Sequence, residues 1–195
     1  GSICFDGIDD YINIPTTVGG KQVLMKVNWQ KQDTMLYNQN PGQDNFAIFT
    51  NDYNNNNLVV AYASRNNGNT YIDGVVNNNI LATQLKGITH NIVATNNNID
   101  ATITPIIGSN KNHDNFFAQM ALYDFMLFDE ISTDEEIKEL NNIVGIEGDY
   151  VQKPSYYWDA YGKTNTDADR DEIVNLASDE VSIQYPTDFT DTSVW

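Results

Sequence analysis

Apolar positions along this chain fall mainly into short runs, many of them alternating, with polar punctuation between them. Residues 3–5 and 11–14 flank an acidic turn, Asp6-Gly7-Ile8-Asp9-Asp10, and the alternation sets Tyr11 apart from Ile12 and Ile14. Pro15 closes that segment, and a loop through Gly20 leads to a mostly alternating run at 22–29. Further strand-like runs lie at 34–37, 45–50, 58–64, 70–72, 75–76 and 88–95, each bounded by Asn, Gly or Asp. The longest apolar run, 116–128, carries large side chains at both parities, the signature of a strand covered on two faces. Directly after it, Ser132-Thr133-Asp134-Glu135-Glu136 supplies an N-cap hydroxyl at Ser132, a Glu three residues on, and acids for the first turn, so the pattern predicts a helix with Ile137 and Leu140 on its apolar face.

Many short strands with one short helix predict an all-β chain, an antiparallel sandwich or jelly roll rather than an α/β fold. Asparagine runs at 54–57, 66–67, 77–79 and 96–98 fall between strands, where Asn tolerates left-handed backbone angles and bonds its own main chain; contact with a ligand is the other role open to them. Asp73-Gly74, between Tyr71-Ile72 and Val75-Val76, is the strongest hairpin signal.

Charge and composition narrow the partners. The chain has 195 residues, enough for one large sandwich or a domain with an appendage, and its formal net charge is −17. Phosphate backbones and anionic membrane surfaces repel such a chain, so nucleic acid is not an expected partner. The acids are scattered, as on a solvated globular surface. One cysteine, Cys4, excludes an intrachain disulfide, and with two separated histidines it cannot build a four-ligand zinc site. No apolar run approaches the roughly 20 residues of a membrane-crossing helix, so membrane insertion is not expected. Gly1-Ser2 reads as a cloning remnant on a module of a larger protein.

Cys4-Phe5-Asp6-Gly7-Ile8-Asp9-Asp10-Tyr11-Ile12 resembles the FDGxDDYV opening of laminin G-like, concanavalin A-like lectin/glucanase domains. Tyr71-Ile72-Asp73-Gly74 is similar to that family's YIDG hairpin, His90-Asn91-Ile92-Val93-Ala94-Thr95 to its H-x-I-V-x-T strand, and Ile107-Gly108-Ser109 to its IGS turn. Residues 123–130 and 133–137 resemble its closing strand and the helix that follows. The resemblance covers roughly 3–145 and implies a concanavalin A-like jelly-roll sandwich of two antiparallel sheets, first and last strands adjacent, with a curved face that relatives use for glycans. It divides the chain into a sandwich at 3–149 and a C-terminal extension, or the start of a following module, at 150–195. In 150–195, Tyr157-Trp158-Asp159 with 162–170 is similar to a domain-start motif of multidomain proteins of gut bacteria and their phages, which implies an extracellular, cell-surface or virion location and neighbouring domains as partners.

Hydrolysis is not expected, because no strand carries the E-x-D-x-x-E spacing that holds two carboxylates across a glycosidic bond. Calcium is the ion chemistry the resemblance points to, with Asp6, Asp9 and Asp10 as candidate ligands; the competing role for these carboxylates is to accept N–H bonds of their own turn. Residues 165–171 imitate the start of an EF-hand loop, but Arg170 stands at the required Gly and Leu176 at the bidentate Glu; a short helix capped by Thr166 or Asp167 and running through Ile173, Val174 and Leu176 is the expectation there. Gly162-Lys163-Thr164 lacks the glycines and strand of a phosphate loop. Side chains eligible to meet a sugar are Trp29, Tyr37, Tyr53, Tyr62, Arg65, Tyr71 and His113, each with packing or solvent exposure as the alternative. His90 reads as a structural residue of its strand. Two function classes follow: a non-catalytic glycan-binding module, or a structural and adhesive module contacting other protein domains.

Overall fold

The computed structural model describes residues 1–14, 20–39, 46–50, 68–78, 80–97, 105–110, 115–143, 156–159, 172–173 and 183–184, the last three by backbone path alone. The strand expected at 58–64, the caps expected at Thr166 and Asp167, and candidates Tyr53, Tyr62, Arg65 and His113 lie outside these residues.

Two antiparallel sheets make a β-sandwich. The larger contains β1 (Ile3–Asp6), β3 (Gln22–Trp29), β6 (Thr70–Ile72), β7 (Val75–Val76), β8 (His90–Thr95) and β10 (Gln119–Phe128), in the order β1-β10-β3-β8-β6-β7, with β11 (Tyr156–Asp159) also paired to β10. The smaller contains β2 (Ile12–Asn13), β4 (Thr34–Gln39), β5 (Phe46–Thr50) and β9 (Ile106–Ile107), in the order β2-β9-β4-β5. β1 lies beside β10, as the resemblance implies. Inward residues of both sheets merge into one core that includes Phe5, Ile14, Val23, Met25, Val27, Trp29, Tyr37, Phe46, Ile48, Ile92, Phe125 and Leu127.

β10 explains why both parities of its sequence are apolar. Leu122 pairs with Val27 but Asp124 with Lys26, so Tyr123 is an extra residue that reverses the facing of everything after it. Before this bulge Met120 and Leu122 enter the core; after it Phe125 and Leu127 do. The opposite face of the later half is also covered: Met126 and Phe128 join Leu24, Tyr71, Val93, Ile137 and Leu140 in a second cluster under α2 (Asp134–Ile143). The two-face reading therefore holds for the second half, while the strand starts at Gln119 rather than Phe116. Phe116 has φ 58°, and its carbonyl accepts Met35 N–H at 2.8 Å in a connection before the strand. β4 carries a similar shift, Met35 opposite Phe49 and Tyr37 opposite Ile48, which sends both Leu36 and Tyr37 into the core.

The helix forms where its caps predict, one residue later than expected. Thr133 rather than Ser132 is the N-cap: its hydroxyl accepts Glu136 N–H at 3.3 Å, and Glu136 Oε2 accepts Thr133 N–H at 2.7 Å, a reciprocal capping box. Ser132 is held by buried Gln22, which donates to its hydroxyl at 3.0 Å and accepts its N–H at 2.9 Å. The Thr133 N–H and hydroxyl hold the Glu136 carboxyl below the usual carboxylate range. A lowered folded pKa means that this contribution is present above the unfolded value and lost as pH falls through the folded one. Thr133→Ala removes the capping hydroxyl but keeps the Thr133 N–H, the larger cause of the shift, so urea denaturation should show a loss of stability that narrows at acid pH without vanishing.

Asp73-Gly74 turns the β6-β7 hairpin, with φ 50° and 79°, the left-handed pair of a type I′ turn. Asparagines close neighbouring turns: Asn78 Oδ1 accepts Thr70 N–H at 2.7 Å and Asn78 Nδ2 donates to Asn69 at 3.2 Å. A four-residue helix, α1 (Ala82–Leu85), buries Ala82 and Leu85 where the pattern predicts no element. At Glu172–Ile173 the chain forms β12, paired antiparallel with β13 (Ile183–Gln184), so Ile173 belongs to a strand and not to the expected short helix. A run of three apolar residues over four positions suits either element, and pairing with 183–184 decides it.

Candidate functional site

The acidic turn is built from its own backbone. Asp6 Oδ1 accepts Ile8 N–H at 2.6 Å, and Asp10 Oδ2 accepts Asp6 N–H at 2.7 Å. Gly7 takes φ 82°, and a Cβ there would lie 2.9 Å from the Gln119 side chain, so glycine is required by both angle and space. Lys31 Nζ donates to the Gly7 carbonyl at 2.9 Å and brings a cation to the turn. One carboxylate oxygen from each of Asp6, Asp9 and Asp10 lies within 4.8 Å of the others, a spread compatible with a calcium ion bonded at roughly 2.3–2.6 Å. Asp6 and Asp9 are exposed and Asp10 is half-buried. Calcium takes 6–8 oxygens, so three carboxylates, two of them already accepting turn N–H groups, fit the ion's spacing but fill only part of its shell.

The described ring candidates are placed inside. Trp29, opposite Met120, and Tyr37 are both fully buried in the main core. The Tyr37 ring packs on Phe46 and Phe125 with centroids 5.7 and 5.6 Å away, and its hydroxyl donates to Gln39 Oε1. Burial raises the Tyr37 pKa well above its ordinary value. Inward parity with Val23, Met25 and Val27 is the signal that places Trp29.

Tyr71 faces the other side of the same sheet. It is buried in the cluster beneath α2, and its hydroxyl donates to Asp134 Oδ1 at 2.7 Å, tying the hairpin to the first turn of the helix. Desolvation and the Asp134 bond raise its pKa. A raised folded pKa means stability that is complete below the unfolded value, about 10, and lost as pH rises through the folded one. Tyr71→Phe should cost about 1–2 kcal/mol and, in absorbance titration of the native protein, remove one of the late-ionising phenols.

Two arrangements go further than the expectations from sequence. Asp73, inside the hairpin turn, accepts Asn91 N–H at 2.9 Å through Oδ1 and lies 2.6 Å from His90 Nδ1 through Oδ2, so His90 serves the hairpin as a structural residue. His90 Nε2 is buried and has no hydrogen-bond partner among the described residues. Asn91 Nδ2 in turn donates to Asn141 Oδ1 at 2.8 Å, which anchors the far end of α2. The second arrangement is the outer face of the smaller sheet. Ala47 and Phe49, opposite in parity to the core residues Phe46 and Ile48, are buried outside that core, and Phe49 meets Phe116 edge-on at 5.3 Å. Among the described residues, no helix is long and apolar enough to cross a membrane. Comparison of the chain with family models, curated proteins and solved structures finds no match.

Proposed function

We propose that this chain is a non-catalytic, lectin-like carbohydrate-binding module of a larger extracellular, cell-surface or virion protein, built on a laminin G-like jelly roll. What supports the reading is that the residues carrying the resemblance are those the sandwich needs at its turns. Gly7 and Gly108 both adopt positive φ, against Gln119 and Phe5 respectively, Asp6 and Asp10 bond the turn in which they lie, and Asp73 ties its hairpin to β8 through the Asn91 N–H. Motif and geometry therefore agree at three separate places in the chain. The glycan contacts in this reading fall to Tyr53, Tyr62, Arg65 and His113, because the Trp29, Tyr37 and Tyr71 rings are enclosed. A glycan array probed with the whole chain in calcium and in chelator tests it. Retention of a sugar class, weakened by Tyr62→Ala or Arg65→Ala, is the expected result, and an array without a signal in either buffer overturns it. Loss of signal in chelator, reproduced in calcium by Asp9→Asn, would assign calcium to the turn of Asp6, Asp9 and Asp10, whereas equal signals would leave those carboxylates to the turn.

A second reading, a structural or adhesive module meeting other protein domains, draws on exposed apolar side chains: Ile8 at 71% and Val75 at 65% exposure, with Val76 and Ile88 also open. Val75 and Val76 form the outermost strand of the larger sheet among the described residues.

A further inference from the structure

One edge of β10 is shared by two strands from distant parts of the chain. β1 takes Gln119 to Leu122 and β11 takes Asp124 to Leu127, leaving the bulge residue Tyr123 between them. Both run antiparallel to β10, so they lie head to tail, with Asp159 ending opposite Asp124 and Ile3 beginning opposite Leu122. β1 belongs to the body of the sandwich, since Ile3 and Phe5 are core residues. β12 and β13 pair with each other, and among the described residues β11 is the one strand beyond α2 that joins the sandwich, through four register pairs.

Removing those four residues would open backbone N–H and C=O groups beside Phe125, Met126 and Leu127, which are among the most buried side chains of the molecule. An edge of that kind demands a strand. The occupant whose length and register already match it is the same segment of another copy, and exchange of identical elements between copies needs no new contact. Residues 144–155 join α2 to β11, and the 13 steps from Ile143 to Tyr156 can span roughly 45 Å. That reach exceeds the roughly 33 Å length of the ten-residue β10.

We propose that β11 is an exchangeable strand, and that residues 156–159 of one copy complete the β10 edge of a second copy over Asp124 to Leu127, and reciprocally. A tethered segment competes with an effective concentration in the millimolar range, so closure within one chain prevails in dilute solution and exchange grows at high local density. A reciprocal pair would double the binding faces, whatever they bind.

Two variants of the whole chain test this, both in a Cys4→Ser background: Asp124→Cys and Asp159→Cys. The paired Cα atoms of an antiparallel ladder lie within disulfide range. With both cysteines in one chain, oxidation in dilute solution should close an internal bridge. When the two single-cysteine proteins are mixed at about 1 mM and oxidised, mixed disulfide dimers should outnumber like dimers severalfold, an excess that shrinks at about 10 μM. An internal bridge in the double variant with no excess of mixed over like dimers at the higher concentration overturns exchange. Failure of the double variant to bridge overturns the placement itself. If a cysteine substitution prevents folding, sedimentation of the unsubstituted chain decides. A dimer fraction that rises with concentration and vanishes in Tyr157→Pro/Trp158→Pro supports exchange, because successive N–H groups of a strand point to opposite sides and one of these prolines must remove a ladder bond. A monomer throughout overturns it.

Discussion

Trp29→Ala is expected to destabilise the protein by about 3–5 kcal/mol, a large part of the 5–15 kcal/mol that holds a typical domain together. The side chain is fully buried at the end of β3, on the inward face that it shares with Val23, Met25 and Val27. Truncation to a methyl leaves a void the size of an indole between the two sheets, and close-packed neighbours relax into such voids only in part. Trp29 Nε1 is itself buried without a hydrogen-bond partner among the described residues, so Trp29→Phe gives up ring volume but also removes an unsatisfied N–H. It should cost clearly less than the alanine variant. Equilibrium urea denaturation followed by circular dichroism reads both. An alanine variant as stable as the parent would mean that Trp29 is not the core residue described here.

Gly108→Ala is expected to be comparably severe, although it adds a single carbon. Gly108 follows β9 with φ 91°, and a Cβ there would lie 2.6 and 2.7 Å from ring atoms of Phe5 and 3.2 Å from the Asp10 carbonyl. The positive φ alone costs about 1–3 kcal/mol, and overpacking adds about 1–3 kcal/mol. Phe5 cannot simply yield, because it is buried in the core and its strand is held on β10 opposite Met120. The same glycine donates its N–H to Leu36 at 3.1 Å and accepts from Ala118 at 2.7 Å, so a shift here would disturb β4 and the entry to β10 together. Thermal melting should show a fall several times larger than that of Gly87→Ala. Gly87 has a similar φ of 82° but open space around its Cβ position, its nearest neighbour lying 3.8 Å away, so the difference between the two variants isolates the steric part.

Local chemistry was the most legible part of this fold. The Asp73-Gly74 hairpin, the acidic first turn and the helix after the long strand each depend on residues close together in sequence, and each stands where its residues predict. Features set by pairing with distant strands were not legible. The extra residue Tyr123 is defined only by its mismatch with β3, and neighbours in sequence carry no sign of it. The N-cap moved from Ser132 to Thr133 because Gln22, far away in sequence, occupies the serine. Ile173 joined a strand because 183–184 lay beside it. Ring residues posed a different problem. Trp and Tyr are used both to stack on sugars and to fill cores, so residue type leaves the choice open; strand parity would have placed Trp29, while Tyr37 lies behind the irregularity at Leu36 and Tyr71 behind a helix.

The line formed by β11 and β1 also says how the chain can be rewired. Asp159 and Ile3 end and begin opposite positions two residues apart on β10 and run in the same direction. With residues 1–2 and 160–195 removed, a connector of about one residue, lying opposite Tyr123, would fuse them into a single continuous edge strand, the join that a circularly permuted sandwich needs. New ends opened between α2 and β11 would then give a protein whose first strand is the present β11, and whose entire β10 edge is covered by one uninterrupted piece of chain.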